Sequence, residues 1–176
     1  VLEMERRVAA LFDKKHGVMT NSGTSALFLA VELLDLPPGS EIITSVVSFS
    51  ATFAPIVRGG HIASYVDVEY DTYNIDVDLI EAAITDKTKA IVPVHLFGQC
   101  VDMAPLNEIA QRHGVPVIED AAKAIGARDS DGRMAGSLGK VGCFSFYPSK
   151  NLGAAGDGGL ITTSDEALAH TMSIMR

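Results

Sequence analysis

The sequence predicts an α/β fold, with a mostly parallel central sheet covered by helices on both faces. Two observations carry this. Helix and strand patterns alternate along the whole chain, and the strand patterns are short, near-continuous apolar runs of the kind buried on both faces. A chain of 176 residues, 47% hydrophobic and 20% charged, suits one domain with a substantial core.

Taken in order, Leu2 to Lys15 reads as an amphipathic helix. Ser25 to Leu34 reads as a second helix, opening directly after Asn21-Ser22-Gly23-Thr24. Glu41 to Ser45 is a β-branched run after the turn Pro37-Pro38-Gly39. Ala51 to Arg58 reads as helical and stops at Gly59-Gly60. Ile62 to Val66, Ala90 to Val94, Val115 to Ile118, Val141 to Phe146 and Gly159 to Thr162 read as strands, with helices at Asp78 to Ile84 and Ala104 to His113 between them. Asp165 to Arg176 reads as a helix with an acidic first turn and no C-cap signal. Val1 is not an initiator methionine, so both ends read as cut and the chain as a fragment. There is no internal repeat, low-complexity tract or linker. The pattern does not fix strand order.

Composition excludes some partners. Fourteen Lys and Arg against twenty-two Asp and Glu give a net charge of −8. An acidic chain with no basic run does not suit nucleic-acid binding. No apolar stretch approaches the roughly 20 residues that span a bilayer, and no signal peptide opens the chain. Cys100 and Cys143 form no CxxC pair and read as reduced thiols of a cytoplasmic protein. The histidines show no metal-ligand spacing, so no metal is expected; His95 reads as a hydrogen-bonded or supporting residue.

In open α/β sheets, ligands sit at the carboxyl ends of the strands. Asn21 to Ser25, Ser48 to Phe49, His95, Asp120 and Lys150 all fall there. Ser22-Gly23-Thr24-Ser25 opens a helix, so it is either an ordinary N-cap or a phosphate site. Neither GxGxxG nor GxxxxGK[ST] is present, which disfavours a nicotinamide-binding Rossmann domain. Glu119-Asp120 ends an apolar run; a carboxylate there either binds something or caps the next helix. Lys150 alone reads as a solvated loop lysine, but the loop follows an apolar strand and is fixed by Pro148 and the Gly-rich stretch 153–159. Phe49 is either core or a stacking surface. Cys143 reads as core.

Lys150 and Asp120 together suggest more. A lysine amine forms a Schiff base with an aldehyde cofactor, and a buried aspartate keeps a pyridinium nitrogen protonated. Their surroundings resemble the nucleotide-sugar aminotransferases, the DegT-like group of fold-type I enzymes dependent on pyridoxal 5'-phosphate (PLP). The resemblance runs through Asn21-Ser22-Gly23-Thr24-Ser25, Ser48-Phe49-Ser50-Ala51-Thr52, Val94-His95-Leu96-Phe97-Gly98-Gln99, Glu119-Asp120-Ala121-Ala122 and Ser145-Phe146-Tyr147-Pro148-Ser149-Lys150. It implies that residues 1–176 are an incomplete PLP-binding large domain without its small C-terminal domain. Lys150 would carry the cofactor and shuttle protons, Asp120 would pair with the ring nitrogen, and Phe49 would stack on the ring. Thr24, Ser25 and Ser145, with the backbone at Gly23, would hold the phosphate. L-glutamate would be the amino donor, a keto-sugar nucleotide the acceptor, and the full-length protein a homodimer. Where the family commonly has Gln near the cofactor's phenolic oxygen, this chain has Lys123. The family's dehydratase offshoot has His at the position of Lys150, so the lysine favours transamination. A cyclitol or other ketone as acceptor, or a non-catalytic regulatory or interaction domain, are the alternatives.

Overall fold

The computed structural model describes residues 1–176. Its elements follow in the order α1 (Leu2–Leu11), β1 (His16–Thr20), α2 (Gly23–Glu32), β2 (Glu41–Ser45), α3 (Ser50–Arg58), β3 (Ile62–Val66), α4 (Val77–Ala83), β4 (Thr88–Val92), a 3-10 turn (Leu96–Gly98), α5 (Met103–His113), β5 (Ile118–Asp120), β6 (Val141–Ser145), β7 (Gly159–Thr163) and α6 (Glu166–Met175). Side chains cap the starts of α2, α4 and α6. Ser22 Oγ accepts from Ser25 N–H ahead of α2, and Asp165 accepts from Ala167 and Leu168 N–H ahead of α6. Gly114, in left-handed geometry, ends α5.

The strands form two ladders, β1-β7-β6-β5 and β3-β2-β4. Parallel bridges Ile91–Val117 and Val94–Asp120 join β4 to the segment of β5. The backbone bonds of the seam include Ile91 N–H to Pro116 O, Asp120 N–H to Pro93 O, and His95 N–H to Asp120 O. The seam is sparse because Pro93 and Pro116 have no N–H to give. The result is one sheet in the order β3-β2-β4-β5-β6-β7-β1. Only β7 runs antiparallel to its neighbours.

Side-chain alternation decides which layer each strand residue joins. Ile42, Ala90, Val92, Ile118, Val141, Cys143 and Ile161 pack on one face, under α2, α3 and α6. Ile43, Ile91 and Val117 pack on the other, under α4 and α5. Phe144 and Leu160 lie on that second face beneath α1, where the Phe144 and Phe12 rings stack at 4.1 Å. Helices therefore cover both faces of a mostly parallel sheet, as expected. No helix is long and apolar enough to cross a membrane.

The differences from expectation are local. The strand β1 was not anticipated. Helix α1 ends at Leu11 rather than Lys15, and α2 starts at Gly23 rather than Ser25. Strand β5 runs over Ile118–Asp120, so Glu119 and Asp120 lie inside a strand rather than after one.

Candidate active site

Glu119 and Asp120 are consecutive strand residues and so point to opposite faces of the sheet. Both are buried. Glu119 faces away from the helices α2 and α3. Its Oε2 accepts from His95 Nε2–H at 2.9 Å and from Gly136 N–H at 2.7 Å; its Oε1 accepts from Leu138 N–H at 2.6 Å and from Gly139 N–H. His95 Nδ1 accepts from Val101 N–H at 3.1 Å, which assigns the ring proton to Nε2. This pair ties the loops after β4 and before β6 to the strand between them. His95 is thus a satisfied interior histidine.

Asp120 faces α3. Its Oδ2 accepts from Thr52 Oγ1–H at 2.8 Å and its Oδ1 from Ala122 N–H at 3.1 Å. No cation pairs with it. Burial pushes its carboxyl above the ordinary range; the Thr52 and Ala122 bonds, and the Lys150 charge, pull the other way without winning.

Asp120 forms part of the wall of a cavity of about 520 Å³. This cavity opens at the carboxyl ends of β1, β2, β4, β5 and β6. Gly23 and Thr24 border it from the first turn of α2, Phe49 from the N-cap of α3, Ser145 from the end of β6, and Lys123 and Lys150 from the loops after β5 and β6. Gly23 and Thr24 occupy helix positions whose N–H groups have no intrahelical acceptor. Gly23 is required by space: a Cβ there would lie 2.6 Å from Ser145 Cβ. Phe49 is 69% exposed, so its ring edges the cavity rather than the core. Burial first, then the Lys123 charge, pushes the Lys150 amine below the ordinary lysine value, with Asp120 opposing.

Of the residues singled out in the sequence, Ser22, Gly23, Thr24, Phe49, His95, Asp120, Lys123, Ser145 and Lys150 converge on this cavity. Ser25 does not border it. Its hydroxyl donates to Asn21 Oδ1 at 2.6 Å and meets Ser22 Oγ at 3.1 Å, on the side of α2 that borders a separate, more open depression. Sequence reasoning did not single out Thr52, Tyr147, Ser149 or Asp157, although Thr52 stands within the quoted Ser48 to Thr52 block. Thr52 follows the ring-bearing Phe49 by three residues, so one turn of helix serves both ring and carboxylate.

The model of the DegT/DnrJ/EryC1/StrS aminotransferase family matches residues 1–176. A pleiotropic regulatory protein of Geobacillus stearothermophilus is 46% identical over 176 residues, which are 100% of this chain and 47% of the relative. The UDP-N-acetyl-3-dehydro-alpha-D-glucosamine 3-aminotransferase of Acidithiobacillus ferrooxidans is 47% identical over 173 residues, 98% of this chain and 47% of its own. The chain therefore spans about half the length of these relatives. Among solved structures, S. venezuelae DesV in complex with a ketimine intermediate superposes with a TM-score of 0.95 at 41% identity, covering 99% of this chain and 47% of that one. NtdA of Bacillus subtilis with bound cofactor PMP gives 0.91 at 38%, covering 97% and 38%.

Proposed function

The chain belongs to the DegT/DnrJ/EryC1/StrS aminotransferase family, and from that premise we propose that the protein carrying it is a PLP-dependent aminotransferase. It moves an amino group from L-glutamate to a keto group of a nucleotide-linked sugar. The observation that carries this reading is the convergence of the Lys150 amine and the unpaired, buried Asp120 carboxylate on one cavity.

The residues present fit the cofactor. Asp120 is a buried carboxylate without a cation, and a protonated ring nitrogen is the partner it lacks. The free N–H groups at Gly23 and Thr24, with the Ser145 hydroxyl, suit a phosphate. Phe49 offers its ring to a flat ligand, and in this structure the Ser25 hydroxyl bonds Asn21 and Ser22. When bound, PLP supplies the electron sink for bond breaking at the substrate α-carbon.

The chain's own groups do the rest. Lys150 would hold the cofactor and would move the proton at the substrate α-carbon; a lowered proton affinity favours its neutral, reactive form. Asp120 would keep the ring nitrogen protonated, and Thr52 and Ala122 fix the carboxylate's orientation. The name of the A. ferrooxidans relative supports a keto-sugar nucleotide as acceptor, and the PMP in NtdA supports the cofactor.

The reading includes a homodimer. Val46, Phe49, Phe97 and Tyr147, on loops at the carboxyl ends of the strands, are all more than half exposed, and a second copy would cover such a rim. The free Cys100 and Cys143 suit a reducing cytoplasm.

The test uses the full-length protein. After incubation with PLP and reduction by borohydride, the cofactor mass should appear on the peptide containing Lys150. Label on Lys123 or Lys140 instead would sink the assignment. Assay against a panel of keto-sugar nucleotides with glutamate then identifies the acceptor; silence across the panel together with no PLP uptake would favour a regulatory domain.

A further inference from the structure

Lys123, an exposed residue, is the second amine on the cavity wall. It joins none of the ion pairs in the chain. Its Nζ instead sits 5.5 Å from the centroid of the Phe97 ring. That ring is held in place at some cost. Phe97 has a left-handed backbone with φ of 54°, followed by Gly98 at φ of 86°. Asn74 clamps the loop from below: its Oδ1 accepts from Leu96 N–H at 3.0 Å and its Nδ2–H donates to Gln99 O at 3.2 Å. The loop also lies against the Lys123 main chain, since a Cβ on Gly98 would come within 3.1 Å of Lys123 O. A ring face at this distance attracts an ammonium by about 0.5–1 kcal/mol at an exposed site. That attraction opposes the usual escape of a lysine head into bulk water.

We propose that Lys123 is a positioning residue that acts by charge: its ammonium, set against Phe97 on the wall of the cavity that Lys150 shares, tunes the reactivity of the Lys150 amine. The groups bordering the cavity with Lys150 are Asp120 from β5, Lys123 from the loop after it, His95 after β4, Tyr147 after β6 and Asp157 before β7. Asp120 would draw a proton onto Lys150, but the carboxylate is engaged by Thr52 and Ala122. Burial first, then the Lys123 charge, lowers the proton affinity of the Lys150 amine, with Asp120 opposing. An amine next to a second cation is a recognised way to make a lysine reactive. The inference rests on Lys150 being the reacting amine, as proposed above, but it concerns the free amine and is tested without the cofactor.

The experiment is competitive labelling of the full-length protein, purified without cofactor, by trace acetic anhydride across a pH series. Acetylation of the Lys150 peptide is measured by mass spectrometry relative to the exposed Lys87 as internal reference. In Lys123→Gln, the relative reactivity of Lys150 should fall roughly two- to five-fold at neutral pH, the range expected for one partly screened charge pair. Variant and original should converge at high pH, where both amines are neutral. Lys123→Arg should keep the original profile. An unchanged profile in Lys123→Gln overturns the proposal. So does an equal loss in Lys123→Arg, which would mean that shape rather than charge is at work. Borohydride mapping to Lys150 in the same variants tests the functional reading separately, so the failure of one is distinguishable from the failure of the other.

Discussion

Asp120→Asn should make the cofactor-free protein more stable at neutral pH while destroying its activity. Asp120 is 5% exposed and has no cationic partner. Taking a carboxylate out of water costs several kcal/mol even after relaxation. Two hydrogen bonds offset part of that, from Thr52 Oγ1–H at 2.8 Å and Ala122 N–H at 3.1 Å. Each is worth about 1 kcal/mol more to a carboxylate than to a neutral acceptor. Asn can keep both contacts. Its Oδ1 accepts from Ala122 N–H, and its Nδ2–H donates to Thr52 Oγ1, since a hydroxyl can donate or accept. The net expectation is a gain of about 1–3 kcal/mol at neutral pH.

The pH dependence distinguishes this charge effect from better packing. Burial raises the folded-state pKa of Asp120, so the folded protein holds this proton more tightly than the unfolded chain. Its favourable contribution is complete below the unfolded value of about 3.9 and is lost as pH rises through the folded one. The advantage of Asn is therefore absent in acid and grows with pH. Urea unfolding of the full-length protein without cofactor, at acidic and neutral pH, measures it. An Asn variant that is less stable at neutral pH, or equally shifted at both, refutes the reasoning. With cofactor bound, amino transfer should fall by several orders of magnitude; near-normal turnover would refute the role of Asp120.

Three further outcomes follow from the same geometry. Thr52→Val should cost about 1.5–3 kcal/mol at neutral pH by stripping a donor from a buried charge, with Thr52→Ser restoring it; urea midpoints decide. Glu119→Gln places an amide where two of four donors point, and should cost about 3–5 kcal/mol, read as a lowered melting temperature with the His95 loop exchanging amide hydrogens faster. Burial and nearby acidic groups push the Cys100 thiol up to about 12, and burial pushes Cys143 well above its usual value. Iodoacetamide at about pH 8 should then label neither until urea is added, because only the thiolate reacts.

The α/β class and the placement of most elements were legible because buried strands and amphipathic helices leave local periodic signals. Strand β1 was missed because His16-Gly17-Val18-Met19-Thr20 has no continuous apolar run. It pairs antiparallel with β7, at the far end of the chain. The strand reading at Val115 to Ile118 was displaced because Pro116 cannot donate to a ladder, so regular pairing begins only at Ile118. The site's residue types were legible as a cluster at strand ends. Its supporting contacts were not, since Thr52 and Asp120 are 68 positions apart and His95 and Glu119 are 24 apart. At Ser25 two physical demands compete for one hydroxyl. The cap network with Asn21 and Ser22 takes it in the structure, a local outcome that helix-start chemistry alone allowed for.

The seam between the two ladders explains why this chemistry sits where it does. Prolines at 93 and 116 thin the pairing between β4 and β5, so few backbone bonds hold the halves of the sheet together. Asp120 makes two of them: its N–H bonds Pro93 O and its carbonyl accepts from His95 N–H. Its side chain reaches α3 on one face, while Glu119 reaches the loops on the other. One dipeptide thus stitches strands, helix and loops at the point where the cavity opens. The backbone of Asp120 serves the fold and its carboxylate serves the site. A substitution that keeps the backbone and changes only the carboxylate, as Asn does, should therefore separate the two roles, whereas a proline at 120 would remove the N–H to Pro93 O and lose both.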